Sequence, residues 1–294
     1  MDVNWFLFSL LVFQELVSVY SKETLVYLLN DGNKIPAVAL GTSLGHLSDG
    51  TRLLPVNHSV ALAVQWALEA GYRHIDTATL YRVEDEVGLG VRNYIRDSGV
   101  DRRDIYITTK LWNDAHEREK VIHALQKSLE ELKLEYVDLY LIHYPMAYKV
   151  NPTITEEELI DWCHNHGVVV MAYSPFGGIL GRKKDAPPPR SDDPKLMRIA
   201  HKYNKTVPQI LLRYLLDRKL VAIPRSTNKE RIQQNIDLMD FSLTSEEVEE
   251  LSSFNSNYRL RTPAKWYPHP YFPFEKKNLT DKDIKYIIDH SRED

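Results

Sequence analysis

Five short apolar runs in this 294-residue chain each end in side chains that can hold charge or move a proton. Arg73–Ile75 ends in Asp76, Ile105–Thr109 in Lys110, and Val137–Ile142 in His143. Val168–Ala172 ends in Tyr173-Ser174, and Leu220–Ile223 in Pro224-Arg225-Ser226. One Asp, Lys or His after an apolar run is commonly just solvated. A succession of them is the pattern of an active site, because parallel α/β sheets carry their chemistry at the carboxyl ends of their strands.

The segments between these runs read as helices. Val60–Ala70 stops at Gly71, and Glu84–Ile95 is amphipathic. Over Glu117–Leu132, one face carries Val121, Ala124, Leu125, Ser128, Leu129 and Leu132. Thr155-x-x-Glu158 has the spacing of a capping box opening a helix through His166, in which Trp162 reads as core, and Thr244-x-x-Glu247 has the same spacing later. Leu196–Tyr203 and Val207–Asp217 complete the helices, and Leu25–Leu40 reads as strand, tight turn and strand around Asn30-Asp31-Gly32-Asn33. Alternating strand and helix implies βαβ units and a parallel sheet.

Composition narrows the class. Lys plus Arg number 37 against 41 Asp plus Glu, a net charge of −4, which argues against nucleic-acid binding. The single cysteine, Cys163, excludes an intrachain disulfide and a Cys-rich metal site, and His164-Asn165-His166 lacks a third ligand, so no metal is expected. No apolar stretch is long enough for a membrane span. Neither a G-x-G-x-x-G nor a P-loop follows any strand. Residues 1–21, with the apolar Trp5–Phe13, read as a signal peptide and imply secretion, with a cytoplasmic chain as the alternative. Three N-x-S/T triplets, at Asn57, Asn204 and Asn278, fit secretion. Residues 22–275 form the expected domain and 276–294 a charged tail.

The motifs resemble those of the aldo-keto reductase family. They are Gly71-Tyr72-Arg73-His74-Ile75-Asp76-Thr77-Ala78 with Tyr81, then Thr109-Lys110-Leu111-Trp112-Asn113 and Leu141-Ile142-His143-Tyr144-Pro145. Ala172-Tyr173-Ser174-Pro175-Phe176-Gly177 and Ile223-Pro224-Arg225-Ser226-Thr227 follow in the same order. The resemblance runs from about Leu28 to Phe274, and the Pro187–Pro194 and Pro268–Phe274 segments look most like insect members, some of which are secreted and reduce ecdysteroid ketones. It implies a (β/α)8 TIM barrel, NADPH as cofactor, a small carbonyl substrate and a monomer. It also implies a catalytic tetrad of Asp76, Tyr81, Lys110 and His143. Thr42, Tyr173, Ser174, Phe176, Gly177, Arg225, Ser226, Arg231, Gln234 and Asn235 are the implied cofactor contacts, and Trp112 and Trp266 the implied substrate pocket. Arg225 stands where members often carry Lys, and a guanidinium binds phosphate at least as well.

One spacing departs from the family. From Asp76 to Lys110 is 34 residues and from Lys110 to His143 is 33, one βα unit each. From His143 to Tyr173 is only 30, where the family places three units. About two βα units are therefore expected to be missing between His143 and Asn151. Six barrel strands remain where closure takes eight. The fourth and last-but-one strands would then face a gap of roughly 10 Å. Two alternatives stay open: a catalytically impaired, shortened isoform that binds nucleotide weakly, and an open, doubly wound six-stranded sheet.

Overall fold

A computed structural model describes residues 24–45, 51–143, 150–181 and 188–256. The signal-like segment, Trp266, Asn278 and the charged tail lie outside the described residues. Eight strands form among these residues. The first two, β1 (Val26–Leu28) and β2 (Lys34–Pro36), make an antiparallel hairpin with Val26 opposite Pro36, turning through Asn30-Asp31-Gly32.

The other six are β3 (Leu40–Gly41), β4 (His74–Asp76), β5 (Tyr106–Leu111), β6 (Leu139–Ile142), β7 (Met171–Tyr173) and β8 (Val221–Ile223). All their pairings are parallel: β3 with β4, β4 with β5, β5 with β6, and β7 with β8. Parallel bridges Val38–Ala222 and Gly41–Arg225 join β3 to β8. The spatial order is thus β7, β8, β3, β4, β5, β6. It runs in one rotational sense without reversal, the winding of a barrel; a doubly wound sheet reverses at a switch point. The six expected barrel strands are present, and among the described residues β6 and β7 are not paired with each other.

Helices cover the outside of this wall. They are α1 (Ser59–Glu69), α2 (Glu84–Ser98), α3 (Arg118–Leu132), α4 (Glu157–Asn165), α5 (Pro194–Tyr203), α6 (Val207–Asp217), α7 (Lys229–Ile236) and α8 (Ser245–Ser252). Two glycines set how closely the first three pack. A Cβ at Gly88 would stand 1.9 Å from the Leu132 carbonyl oxygen, and one at Gly90 would stand 2.5 Å from that of Ala61. Only glycine lets α2 pass so near both neighbours. Thr244 and Glu247 form the expected capping box on α8, and Thr206 with Gln209 forms another on α6.

Two readings of the α4 region are corrected. Thr155 does not cap the helix: α4 begins at Glu157 after Glu156 in the left-handed region (φ 51°), and no side chain caps its start. Thr155 is instead buried, with its carbonyl accepting from Arg218 at 2.8 Å. Trp162 is not core; it is 57% exposed and stacks on His166, and Ile160 is the buried residue of α4. The physical reasons are local: the left-handed Glu156 breaks the helical path before Glu157, and the helix turns Ile160 inward, which leaves Trp162 on the outer face.

Candidate active site

The carboxyl ends of β4, β5 and β6 bring Asp76, Lys110 and His143 to one mouth of the wall. Tyr81 joins them from a 3-10 turn, Thr79–Tyr81, closed by Arg82 in the left-handed region (φ 55°). The Lys110 Nζ donates to both Asp76 oxygens at 2.7 and 2.8 Å and to the Thr77 carbonyl at 2.8 Å, and it stands 3.5 Å from the Tyr81 hydroxyl. The rings of Tyr81 and His143 meet edge-on with centroids 5.4 Å apart, and Trp112 meets His143 the same way at 5.3 Å. The four residues expected to act together are together, with Trp112 forming a wall beside them.

Burial sets the electrostatics of this corner. The Lys110 and Asp76 side chains are 13% and 6% exposed. Burial opposes a charge on Lys110, but the Asp76 carboxylate and then the Tyr81 oxygen outweigh it, so the ammonium is held above the ordinary lysine range. His143 goes the other way: burial, then the positive charges of Lys110 and Arg52, push it down to about 3, so its imidazole is neutral near pH 7. The cluster therefore holds a permanent cation beside a phenol, with a neutral imidazole across from it. Such a set can pass a proton to an oxygen that is gaining negative charge.

The residues expected to hold a cofactor fall into two adjoining groups. Gly41, Thr42, Arg225, Ser226 and Thr227 line a shallow cleft where β3 meets β8. Thr42 sits against the tetrad: its backbone N–H and hydroxyl both donate to the Asp76 carbonyl, at 3.1 and 3.0 Å. Beyond Ser226, the Asn228 side chain caps α7 by accepting from the Arg231 N–H at 2.9 Å, with Arg231 and Gln234 exposed and Asn235 buried. Two guanidinium groups, a hydroxyl and a helix N-terminus make a donor set suited to a phosphate monoester. The second group follows β7. Tyr173 ends the strand, Ser174 is left-handed (φ 52°), and Gly177 closes the turn by donating to the Ser174 carbonyl at 2.9 Å. A Cβ at Gly177 would stand 2.6 Å from the Asn151 side-chain oxygen, so this loop lies directly on the buried Asn151–Ile154 turn, with Phe176 packed against the core.

Residues 39–150 and 146–256 match the model of the aldo/keto reductase family. The chain belongs to the aldo/keto reductase family. It is 44% identical over 302 residues to Bombyx mori aldo-keto reductase AKR2E4, covering 83% of this chain and 97% of that one. It also resembles the crystal structure of that enzyme in complex with NADP, with a TM-score of 0.80, 42% identity, and coverage of 86% of this chain and all of the other. A second Bombyx mori aldo-keto reductase, AKR2E5 complexed with NADPH, superposes with a TM-score of 0.82 at 32% identity, covering 89% and 97% of the two chains. These neighbours place the fold in the TIM-barrel type of this family. Among the described residues no helix is long and apolar enough to cross a membrane, and no cluster of His, Cys, Asp or Glu could hold a metal ion.

One group of polar residues behind Lys110 has no counterpart in the sequence reading. Glu84 is buried at the start of α2, with Thr109 at 2.6 Å and Ser128 at 3.3 Å from its two oxygens. Ser128 had been placed on the apolar face of its helix, and Thr109 inside an apolar run. A polar residue at a core-facing position was the signal available for both.

Proposed function

We propose that this chain is an NADPH-dependent reductase that converts aldehyde or ketone carbonyls to alcohols, with Tyr81 as the proton donor. The observation that carries the reading is the Lys110 ammonium held between the Asp76 carboxylate and the Tyr81 hydroxyl. NADPH, when bound, supplies the hydride. As the substrate oxygen gains negative charge, Tyr81 gives it a proton. An isolated phenol, with a pKa of about 10, would be a poor donor; the adjacent Lys110 cation stabilises the phenolate left behind. Asp76 keeps that cation charged and fixed. His143, neutral, orients the carbonyl by hydrogen bonding. Tyr173, Ser174, Phe176 and Gly177 hold the nicotinamide and pyrophosphate end, Arg225, Ser226 and Arg231 the 2′-phosphate, Gln234 and Asn235 the adenine, and Thr42 lies between. Trp112 and Trp266 line the substrate pocket, and a ketosteroid of the ecdysteroid kind is the substrate we favour. Residues 1–21 direct the chain to secretion, and it acts as a monomer.

We further propose that the chain lacks about two βα units between His143 and Asn151. Two observations support this. The family match falls in two stretches that meet at 146–150. The alignment to AKR2E4 spans 302 residues, while 83% of 294 is about 244, so 302 − 244 leaves about 58 positions with no partner in this chain. That β6 and β7 are not paired with each other among the described residues favours a second reading, a catalytically impaired, shortened isoform that binds nucleotide at most weakly.

Titration with NADPH and NADH, followed by tryptophan fluorescence, tests the cofactor assignment. Micromolar NADPH binding is expected, and Arg225→Ala should weaken it roughly 10- to 100-fold with little change for NADH, the size of a charge-assisted phosphate contact. Equal affinity for the two nucleotides would refute the phosphate site.

A further inference from the structure

Among the described residues, Glu84 is the one buried carboxyl beside the tetrad for which the reaction provides no task. It is 5% exposed, and it anchors a line of hydroxyls that leads back to the catalytic corner. Thr109 Oγ1 lies 2.6 Å from Glu84 Oε1, and Ser128 Oγ 3.3 Å from Oε2. Ser128 Oγ is 3.0 Å from Thr79 Oγ1, which is 3.3 Å from the Lys110 carbonyl oxygen. These are four contacts between oxygen atoms, each needing one proton. Three hydroxyls supply three protons, because Ser and Thr carry one donor hydrogen each. With Glu84 ionised, one contact is always left without a proton: the Lys110 carbonyl, the pair of hydroxyl oxygens 3.0 Å apart, or Ser128 against the carboxylate at 3.3 Å. With Glu84 protonated, all four are filled in one direction. Thr109 donates to Oε1, Glu84 to Ser128, Ser128 to Thr79, and Thr79 to the Lys110 carbonyl.

We propose that Glu84 is a neutral carboxylic acid and a positioning residue, whose proton completes a hydroxyl chain that fixes the backbone of Lys110. This rests on the reading of Lys110 as the cation beside the proton donor. The charged and titratable groups facing Glu84 are Glu131 from α3, Lys110 from β5 and Tyr140 from β6. Burial, the largest influence, raises its pKa above the ordinary glutamate value, and Glu131 acts the same way. Thr109 and Ser128 donating to the carboxylate, and then Lys110, oppose this, and burial prevails. The N-terminal turn of α2 also favours a negative charge here. The chain of hydroxyls, not the helix end, is what this carboxyl faces.

Two readouts test the proposal without needing turnover. In protein carrying isotope-labelled glutamate, the infrared difference spectrum between wild type and Glu84→Gln at neutral pH should contain the C=O band of a protonated carboxyl; a carboxylate band in its place overturns the proposal. Thermal melting supplies the second. An acid protonated in the fold but ionised in the unfolded chain withdraws stability as pH rises above the ordinary glutamate value of 4.5. The melting temperature of Glu84→Gln relative to wild type should therefore climb between about pH 5 and 8, and a flat difference refutes the neutral acid. The positioning role is read from kcat. Glutamine keeps an acceptor for Thr109 and a donor for Ser128, so Glu84→Gln should restore most of the kcat that Glu84→Ala loses, roughly ten- to a hundredfold, at unchanged KM for NADPH. Equal kcat in the two variants overturns it. A wild-type chain without any reductase activity would refute the proposed function and leave the infrared and melting results to decide the protonation of Glu84.

Discussion

The wall from β3 to β5 and the flanks of β6 and β7 are built from similar sequence and end up in different states. On β4, His74, Ile75 and Asp76 are all buried, and α1 in front of it buries six residues. On β6, Leu139 to Leu141 are half-buried and Ile142 is 60% exposed. Only Ser128 and Leu132 are buried on α3, although its apolar face is at least as long as that of α2. Ile122 on α3, Trp162 on α4 and Val168 in the loop before β7 are exposed as well. Apolar patterning commits a face to burial only if a neighbouring layer exists to receive it. Among the described residues, β4 is paired on both sides, whereas β6 pairs only with β5 and β7 only with β8.

The tetrad straddles this divide, which explains how it persists. Asp76, Tyr81 and Lys110 stand on the closed half, tied by the Lys110–Asp76 pair and by the donation of Lys110 to the Thr77 carbonyl. His143 alone follows β6, which among the described residues is paired on one side only. Its backbone N–H still donates to the Leu111 carbonyl at 3.0 Å, and its ring is held between Tyr81 and Trp112.

The same substitution on the two sides should separate them most sharply. Ile75→Ala removes a side chain with no exposure and should cost about 2–5 kcal/mol. Ile142→Ala should change stability by no more than about 0.5 kcal/mol. Urea unfolding measures both, and similar losses would mean that the two halves are equally packed.

Histidine titration by NMR sharpens the contrast with a smaller effect. His74, fully buried between the Pro36 carbonyl and the Thr108 hydroxyl, is pushed down to about 4, first by burial and then by Lys110, against the raising influence of its bond to Pro36. His143 is pushed down to about 3. A base whose folded value is depressed destabilises the fold as pH falls below its unfolded value, here 6.5, towards those lower values. Stability should accordingly drop between about pH 6.5 and 4, with both imidazoles still neutral in the folded chain. If water reaches the site past β6, His143 will instead titrate near 6.5 while His74 does not.

Much of this site could be read from the sequence. Asp76, Lys110 and His143 each follow an apolar run, and their alternation with helices implies the parallel sheet; the barrel winding and the count of six strands rest on the family resemblance. Tyr81 was placed by resemblance, since its 3-10 turn has no periodic signal. Glu84, Thr79, Thr109 and Ser128 were not legible as a unit, because hydroxyls on core-facing positions look like ordinary variation until the fold brings them together. Thr155 and Trp162 were misread for a related reason. Glu156 enters the left-handed region and moves the start of α4, and Ile160 rather than Trp162 is the residue that the helix buries.

The central claim is that a proton-donor corner stays assembled on a barrel wall in which, among the described residues, β6 and β7 are not paired with each other. Hydride transfer from NADPH to a simple aldehyde, followed in rapid-mixing experiments with wild type and Tyr81→Phe, tests it most directly. The account predicts measurable transfer in the wild type and a loss of roughly 10²- to 10⁴-fold in the variant. Equal rates in the two proteins would contradict it.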